Sequence, residues 1–143
     1  MAEPTQCPCS SGRAYADCCR PYHRDGVEPP TPEALMRSRY SAFALKQVEH
    51  LVRTLHPDNA DSRRPVDVLK RELKKNCNRF TYPALVVLDA RDQDAARDAW
   101  VRFRATVLDG SRDCSFTEES RFRRAHGGWR YLDGKVLPPG RDH

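Results

Sequence analysis

No run of eighteen apolar residues occurs in this chain of 143, so no membrane-spanning helix is expected. The first residues, Met1 to Gln6, lack the basic-then-apolar pattern of a secretory signal. A cytoplasmic, reducing setting is therefore expected, which argues against disulfides. Also missing are a glycine-rich phosphate loop, a nucleophile–base pair and a catalytic-metal signature. The C-x-x-C spacing of a redox dithiol is absent too. Glycines number seven and methionines two, and there is no internal repeat or low-complexity tract. Charged residues make up 31% of the chain, so most of its surface is solvated.

Against these absences, six cysteines stand out, and four of them fall between Cys7 and Cys19. Their order is C-x-C, eight residues, then C-C. Clustered thiolates suit a tetrahedral zinc ion. Pro8 fixes one φ, and Gly12 permits the positive φ that a tight turn beside the sulfurs needs. Tyr15 supplies an apolar plug. Cys7, Cys9 and Cys18 are three ligands, and the fourth is Cys19 or His23, four apart on one helical face. Residues 1–24 carry too few apolar side chains for a core, so the metal must hold them together. Residues 25–31 read as a linker, stiffened by Pro29 and Pro30.

Thr31-Pro32-Glu33 is a helix start, with a hydroxyl cap, proline at the first position and an acid in the first turn. Met36, Tyr40, Phe43 and Ala44 follow at helical spacing. Val48, Leu51, Val52 and Leu55 continue in a second helix that Pro57 ends, and Val66, Leu69 and Leu73 mark a third. The period then changes. Leu85 to Leu88 reads as a short apolar strand. Ala99 to Val107 and Phe116 to Arg123 alternate, and Trp129 to Leu132 closes the series. Asp109-Gly110, Gly127-Gly128 and Asp133-Gly134 are turn signals. Helices followed by an antiparallel meander of about four strands predict an α+β domain over 32–143.

The stretch Cys7-Pro8-Cys9-Ser10-Ser11-Gly12, followed by Cys18-Cys19, resembles the SEC-C zinc motif found at the end of the translocase motor SecA. The resemblance implies that Cys7, Cys9, Cys18 and Cys19 hold a structural Zn²⁺ and that His23 lies outside the site. In SecA the motif docks a partner and does no catalysis. Further on, Glu33 to Phe43 (EALMRSRYSAF), His56-Pro57, Glu118 to Phe122 and Gly128 to Gly134 resemble the YchJ-like family. That resemblance implies a SEC-C module joined to a nuclear-transport-factor-2-like, cystatin-like cone, with helices packed into a curved sheet. The family is largely of unknown function. Its members often carry histidines just before the Glu of the third strand, where Phe116-Thr117 stand here.

In the third strand, Phe116, Glu118, Ser120 and Phe122 share a face, and Thr117, Glu119, Arg121 and Arg123 face solvent. A carboxylate between two phenylalanines needs a partner or a proton. Arg39 is the first candidate cation and His56 the second. Either Glu118 and Arg39 form a buried pair that sets the helix on the sheet, or Glu118 marks a pocket shaped by Arg39, Tyr40, His56, Ser120 and Trp129. Cys77 and Cys114 read as ordinary partly buried thiols, and His50 and His126 as surface residues. Trp100 lies on the polar face of its strand, as a stacking site or under a covering segment.

Three readings of function follow. The first is a non-catalytic adaptor that presents Arg13 and Arg20 of the zinc module to a protein partner. The second is a small-molecule binder, or a hydrolase- or isomerase-type enzyme, using the helix–sheet cavity. The third is nucleic-acid or ribosome association through the net charge of +5. The densest basic cluster, Arg63-Arg64, Lys70-Arg71 and Lys74-Lys75, reads as an exposed helix face.

Overall fold

The computed structural model describes residues 4–91 and 93–138. Its order is α1 (Arg20–Arg24), α2 (Pro32–Ala44), α3 (Val48–Arg53), α4 (Val66–Arg79), then β1 (Thr81–Arg91), β2 (Ala99–Asp109), β3 (Arg112–Asp113), β4 (Phe116–Ala125) and β5 (Gly128–Val136). The strands form one antiparallel sheet in the order β1-β2-β4-β5, with the two-residue β3 paired to β2. The expected α+β class holds, with helices first and the meander after.

Helix α2 begins as its residues dictate. The Thr31 hydroxyl accepts the Ala34 N–H at 3.0 Å, and Pro32 occupies the first turn. Its inner side chains Leu35, Met36 and Tyr40 pack on Leu85 of β1, Val101, Phe103 and Ala105 of β2, and Phe122 of β4. Full burial of each large apolar side chain here stabilises the fold by about 1.5–3 kcal/mol.

Four elements depart from the sequence reading. The second helix stops at Arg53, so Leu55 is not helical. Instead, Tyr131 of β5 donates to the Thr54 carbonyl, and the His56 N–H donates to the Tyr131 carbonyl, both at 2.8 Å. The segment before Pro57 thus lies along β5, where sheet hydrogen bonds replace helical ones. Strand β1 is longer than its apolar run, and Pro83 falls in the register shift between Thr81 and Ala84 of this edge strand. Its alternation leaves Leu85 buried and Val86 55% exposed. Two residues of the linker are docked, while its other residues are exposed. Pro29 is fully buried, and Glu28 accepts from Arg130 at 2.8 and 3.1 Å. Last, Asp133-Gly134 is no turn, because β5 runs on to Val136 with Gly134 opposite Ser120.

That glycine positions the site. The β4–β5 register shifts between Arg121 and Phe122, which changes the phase of alternation. Tyr131 and Gly134, three apart, therefore both lie against Glu118. A Cβ built on Gly134 would overlap the Glu118 Oε2 and stand 2.6 Å from the Tyr131 hydroxyl. Gly134→Ala should destabilise the protein by about 1–3 kcal/mol, read from the midpoint of denaturant unfolding. Full stability in the variant would mean that the Glu118 carboxylate swings clear at no cost.

Candidate functional site

The cysteine module folds on backbone hydrogen bonds from Cys7 to the Arg13 carbonyl and from Ser10 to the Cys7 carbonyl, with Gly12 at φ +84 as its turn demands. The Sγ atoms of Cys7, Cys9, Cys18 and Cys19 all lie within 4.8 Å of one another. Cys9 and Cys18 are 3.6 Å apart, and Cys18 and Cys19 3.9 Å. Four sulfurs about 2.3 Å from one tetrahedral ion would be separated by roughly 3.8 Å, so the donor set fits a metal ion. All six cysteines are free thiols. Hydrogen bonds from Cys19 and Cys7 lower the pKa of Cys9, while that of Cys19 rises because its thiol serves Cys7 and Cys9.

His23 stands apart from the sulfurs, with both ring nitrogens engaged. Nδ1 meets the Tyr15 hydroxyl at 2.7 Å, and Nε2 meets the Ser38 carbonyl of α2 at 2.8 Å. The Ser38 hydroxyl donates to the Leu35 carbonyl and lies 2.8 Å from His50 Nε2, whose Nδ1 accepts from Arg53 at 2.9 Å. This order fixes His50 as a neutral Nε2–H imidazole, since Arg53 can only donate to its Nδ1, and places a proton on Nε2 of His23, whose pKa burial lowers. His50 is 1% exposed, which corrects the expectation of a surface residue; α3 turns it inward against His23. Arg37 donates to the Cys9 carbonyl at 2.8 Å, and Leu85 donates to the Ser10 hydroxyl at 3.0 Å. The module is therefore seated on α2 and β1.

Beneath α2 lies an open cavity of about 440 Å³. Arg39, Tyr40, Glu118 and Ser120 line it as the sequence suggested. His56 and Trp129 do not. His56 Nδ1 accepts the Asp58 N–H at 3.0 Å, and Trp129 is buried in the core at the far end of β5 beneath Arg124. Tyr40 is largely committed to the sheet. Its hydroxyl accepts the Ala84 N–H at 3.0 Å and lies within 2.8 Å of the Ala84 and Thr106 carbonyls, bridging β1 and β2 beside the Pro83 irregularity.

The expected direct pair between Arg39 and Glu118 is replaced by a relay. Arg39 Nη1 donates to the Leu51 carbonyl and the Thr54 hydroxyl at 2.8 and 2.7 Å. Its guanidinium lies over the Tyr131 ring, 4.8 Å from the centroid. The Tyr131 hydroxyl donates to Glu118 Oε2 at 3.1 Å, and the Ser120 hydroxyl donates to the same oxygen at 2.6 Å. Burial lowers the Arg39 pKa to about 10 and raises that of Tyr131. Tyr131 escaped the sequence reading because the Arg121/Phe122 shift breaks simple alternation. Phe103, Phe116 and Cys114 complete the apolar wall.

Elsewhere, several charges are paired. Asp98 is buried and binds Arg121 at 3.3 Å and Arg123 at 2.6 and 3.1 Å, so this edge of the outer face is a salt-bridge cluster. Thr117, expected in solvent, is buried as well. Trp100 is flanked by the guanidiniums of Arg91 and Arg121, 5.2 and 5.6 Å from its ring centroid. Just before α4, Arg64 binds Asp61 and Glu72; on α4, Lys70 binds Glu49 and Arg71 binds Asp67. Among the described residues no helix is long and apolar enough to cross a membrane.

The helices on an antiparallel sheet, preceded by a four-cysteine cluster, define an NTF2-like domain carrying a SEC-C motif. A family model for the SEC-C motif matches residues 5–21, and one for the middle NTF2-like domain of YchJ matches residues 31–134. The chain belongs to the YchJ (UPF0225) family. It is 35% identical to a UPF0225 protein of Sodalis glossinidius, over 95% of this chain and 86% of that one. It is also 35% identical to the UPF0225 protein YchJ of Shigella dysenteriae, over 90% and 81%. The solution structure of a SEC-C motif containing protein from Rhodopseudomonas palustris superposes with a TM-score of 0.75 at 33% identity, covering 92% of this chain and 98% of that one. A second SEC-C motif containing protein, from Psychrobacter arcticus, gives 0.71 at 28% identity, covering 92% and 82%.

The two buried histidines make stability depend on pH. Burial pushes His50 down to about 2 and also lowers His23, from an ordinary 6.5. The unfolded chain protonates both below that ordinary value, while the folded chain keeps His50 neutral. Stability is therefore present above about pH 6.5 and is lost as the pH falls, with His50 contributing a slope approaching ~1.4 kcal/mol per pH unit. Denaturant unfolding between about pH 6 and pH 5 should show this loss, and His50→Gln should flatten the slope by about 1 kcal/mol per unit. An unchanged slope would place His50 in contact with water.

Proposed function

We propose that this protein is a zinc-stapled receptor for a small molecule, which it binds in the cavity between α2 and the sheet. One observation carries the reading: an open cavity of about 440 Å³, mostly apolar, with Glu118, Ser120 and Arg39 converging on it. That volume falls within the roughly 300–1,000 Å³ of small-molecule sites. Binding is favoured over turnover because the polar groups are engaged with one another. Ser120 spends its proton on Glu118, Arg39 is held by Leu51 and Thr54, and no histidine is among the lining residues.

Zinc suits the four thiols, and with four protein ligands it keeps no open position for water or substrate. The seating of the module on Arg37, Ser38 and Leu85 supports a staple more than an outward docking arm. Arg13, one of the basic residues of the adaptor reading, is turned onto the Asp17 carbonyl of the module itself.

Native mass spectrometry should find one zinc per chain, lost on denaturation and absent from Cys7→Ser and Cys18→Ser. Full occupancy in both variants would overturn the ligand assignment. For the cavity, 1-naphthol should bind with a Kd of about 0.1 mM by calorimetry. Ala105→Leu, which adds bulk to the cavity wall, should weaken it about tenfold or more while circular dichroism confirms the fold. Equal binding to both proteins would move the ligand site elsewhere.

A further inference from the structure

We infer that the cavity selects an uncharged, largely apolar ligand bearing one hydrogen-bond donor, and that the free Oε1 of Glu118 is the atom that selects it. The inference rests on the receptor reading above and specifies its ligand.

The argument is one of unspent valence. Glu118 Oε2 is saturated by the Ser120 and Tyr131 hydroxyls. Both of its neighbours are donors, so they hold the carboxylate in place as an acceptor. Oε1 accepts no hydrogen bond among the described residues, and its side chain borders the cavity. The opposite strand brings no competing group, because Gly134 stands across from Ser120. A carboxylate oxygen with no protein donor, on a side chain that lines a mostly apolar cavity, can accept an N–H or O–H from a ligand.

Charge narrows the class. Arg39 lines the same cavity, 8% exposed, with its Nη1 given to a carbonyl and a hydroxyl, and among the described residues no carboxylate pairs with it directly. Arg39 and Glu118 therefore already set a cation and an anion on the space, linked through the Tyr131 ring and hydroxyl. A cationic ligand would gain at Glu118 and lose at Arg39, and an anionic ligand the reverse, each after losing its own hydration. A neutral donor meets Oε1 without disturbing that balance. Asp61, the other acid lining the cavity, lies on the Arg39 side, where it is 48% exposed and tied to Arg64 at 3.4 Å, so solvent screens the charge it adds. Phe103, Phe116 and Tyr82 give the remainder of the wall an aromatic character suited to a ring.

Four probes of one shape test this by calorimetry on the full zinc-loaded chain at pH 7: 1-naphthol, 1-methoxynaphthalene, 1-naphthoate and 1-naphthylmethylammonium. The expected order places 1-naphthol about tenfold or more tighter than 1-methoxynaphthalene, which lacks the donor, and tighter than both ions. In Glu118→Gln the amide can turn a donor toward the ligand, so the naphthol-to-methoxynaphthalene ratio should fall toward one. Equal affinity of naphthol and methoxynaphthalene for the unsubstituted protein would overturn the Oε1 anchor while leaving the cavity as a ligand site. Either ion binding as tightly as naphthol would overturn the neutral class. Failure of all four to bind would sink the receptor reading itself. If Glu118→Gln does not fold, the ratios measured on the unsubstituted protein decide the matter alone.

Discussion

Four sulfurs gathered within 4.8 Å of one another set the shape of the N-terminal module and, through it, the contacts along the outer side of α2. The buried hydrophobic cluster of the module consists of the four cysteines and Tyr15, with Leu45 packed against it. So small a cluster cannot offset the conformational entropy of some twenty ordered residues. On the zinc reading proposed above, a metal ion held by the four thiolates would supply that cohesion, because binding to the folded thiolates is itself folding free energy. With the sulfurs gathered, Tyr15 reaches His23 and the Cys9 carbonyl meets Arg37.

The consequences run along α2. Its outer residues, Arg37 and Ser38, receive the module, and its inner residues, Arg39 and Tyr40, reach the cavity. One helix of thirteen residues thus carries both the metal module and the roof of the pocket. The polar joint between them is neutral and buried, with Ser38 shared by His23 and His50. Such a joint is directional where an apolar contact would slide, because each donor has one acceptor at a fixed distance. The module's position on α2 bears in this way on the placement of Arg39 above Tyr131.

The cavity floor follows a related logic. Glu118 stays in an apolar setting because two hydroxyls donate to one of its oxygens, and Arg39 reaches it through the Tyr131 ring instead of directly. A direct ion pair would bring the two charges together and fill the space between them. The relay keeps them apart, and the room between remains. The Arg121/Phe122 irregularity and Gly134 make this arrangement possible, by bringing Tyr131 close and leaving the opposite position without a side chain.

Much of this could be read in the residues themselves, for local reasons. The cysteine spacing, the turn at Gly12, the cap at Thr31 and the alternation of β2 and β4 depend on near neighbours and on two simple periods. Glu118 and Ser120 were visible as polar groups on an apolar strand face, and Arg39 and Tyr40 as companions of Met36. The tertiary structure decided what those groups do. Pairing with β5 drew residues 54–56 out of the helix, and a register shift brought Tyr131 to Glu118 where Arg39 was expected. Burial made His50 part of a joint, and the docking of Glu28 and Pro29 tied the linker to β5. These outcomes rest on hydrogen bonds between residues far apart in sequence, up to 102 positions for Glu28 and Arg130. No local period encodes such a pairing, because it exists only once the sheet has closed and its neighbours are in place.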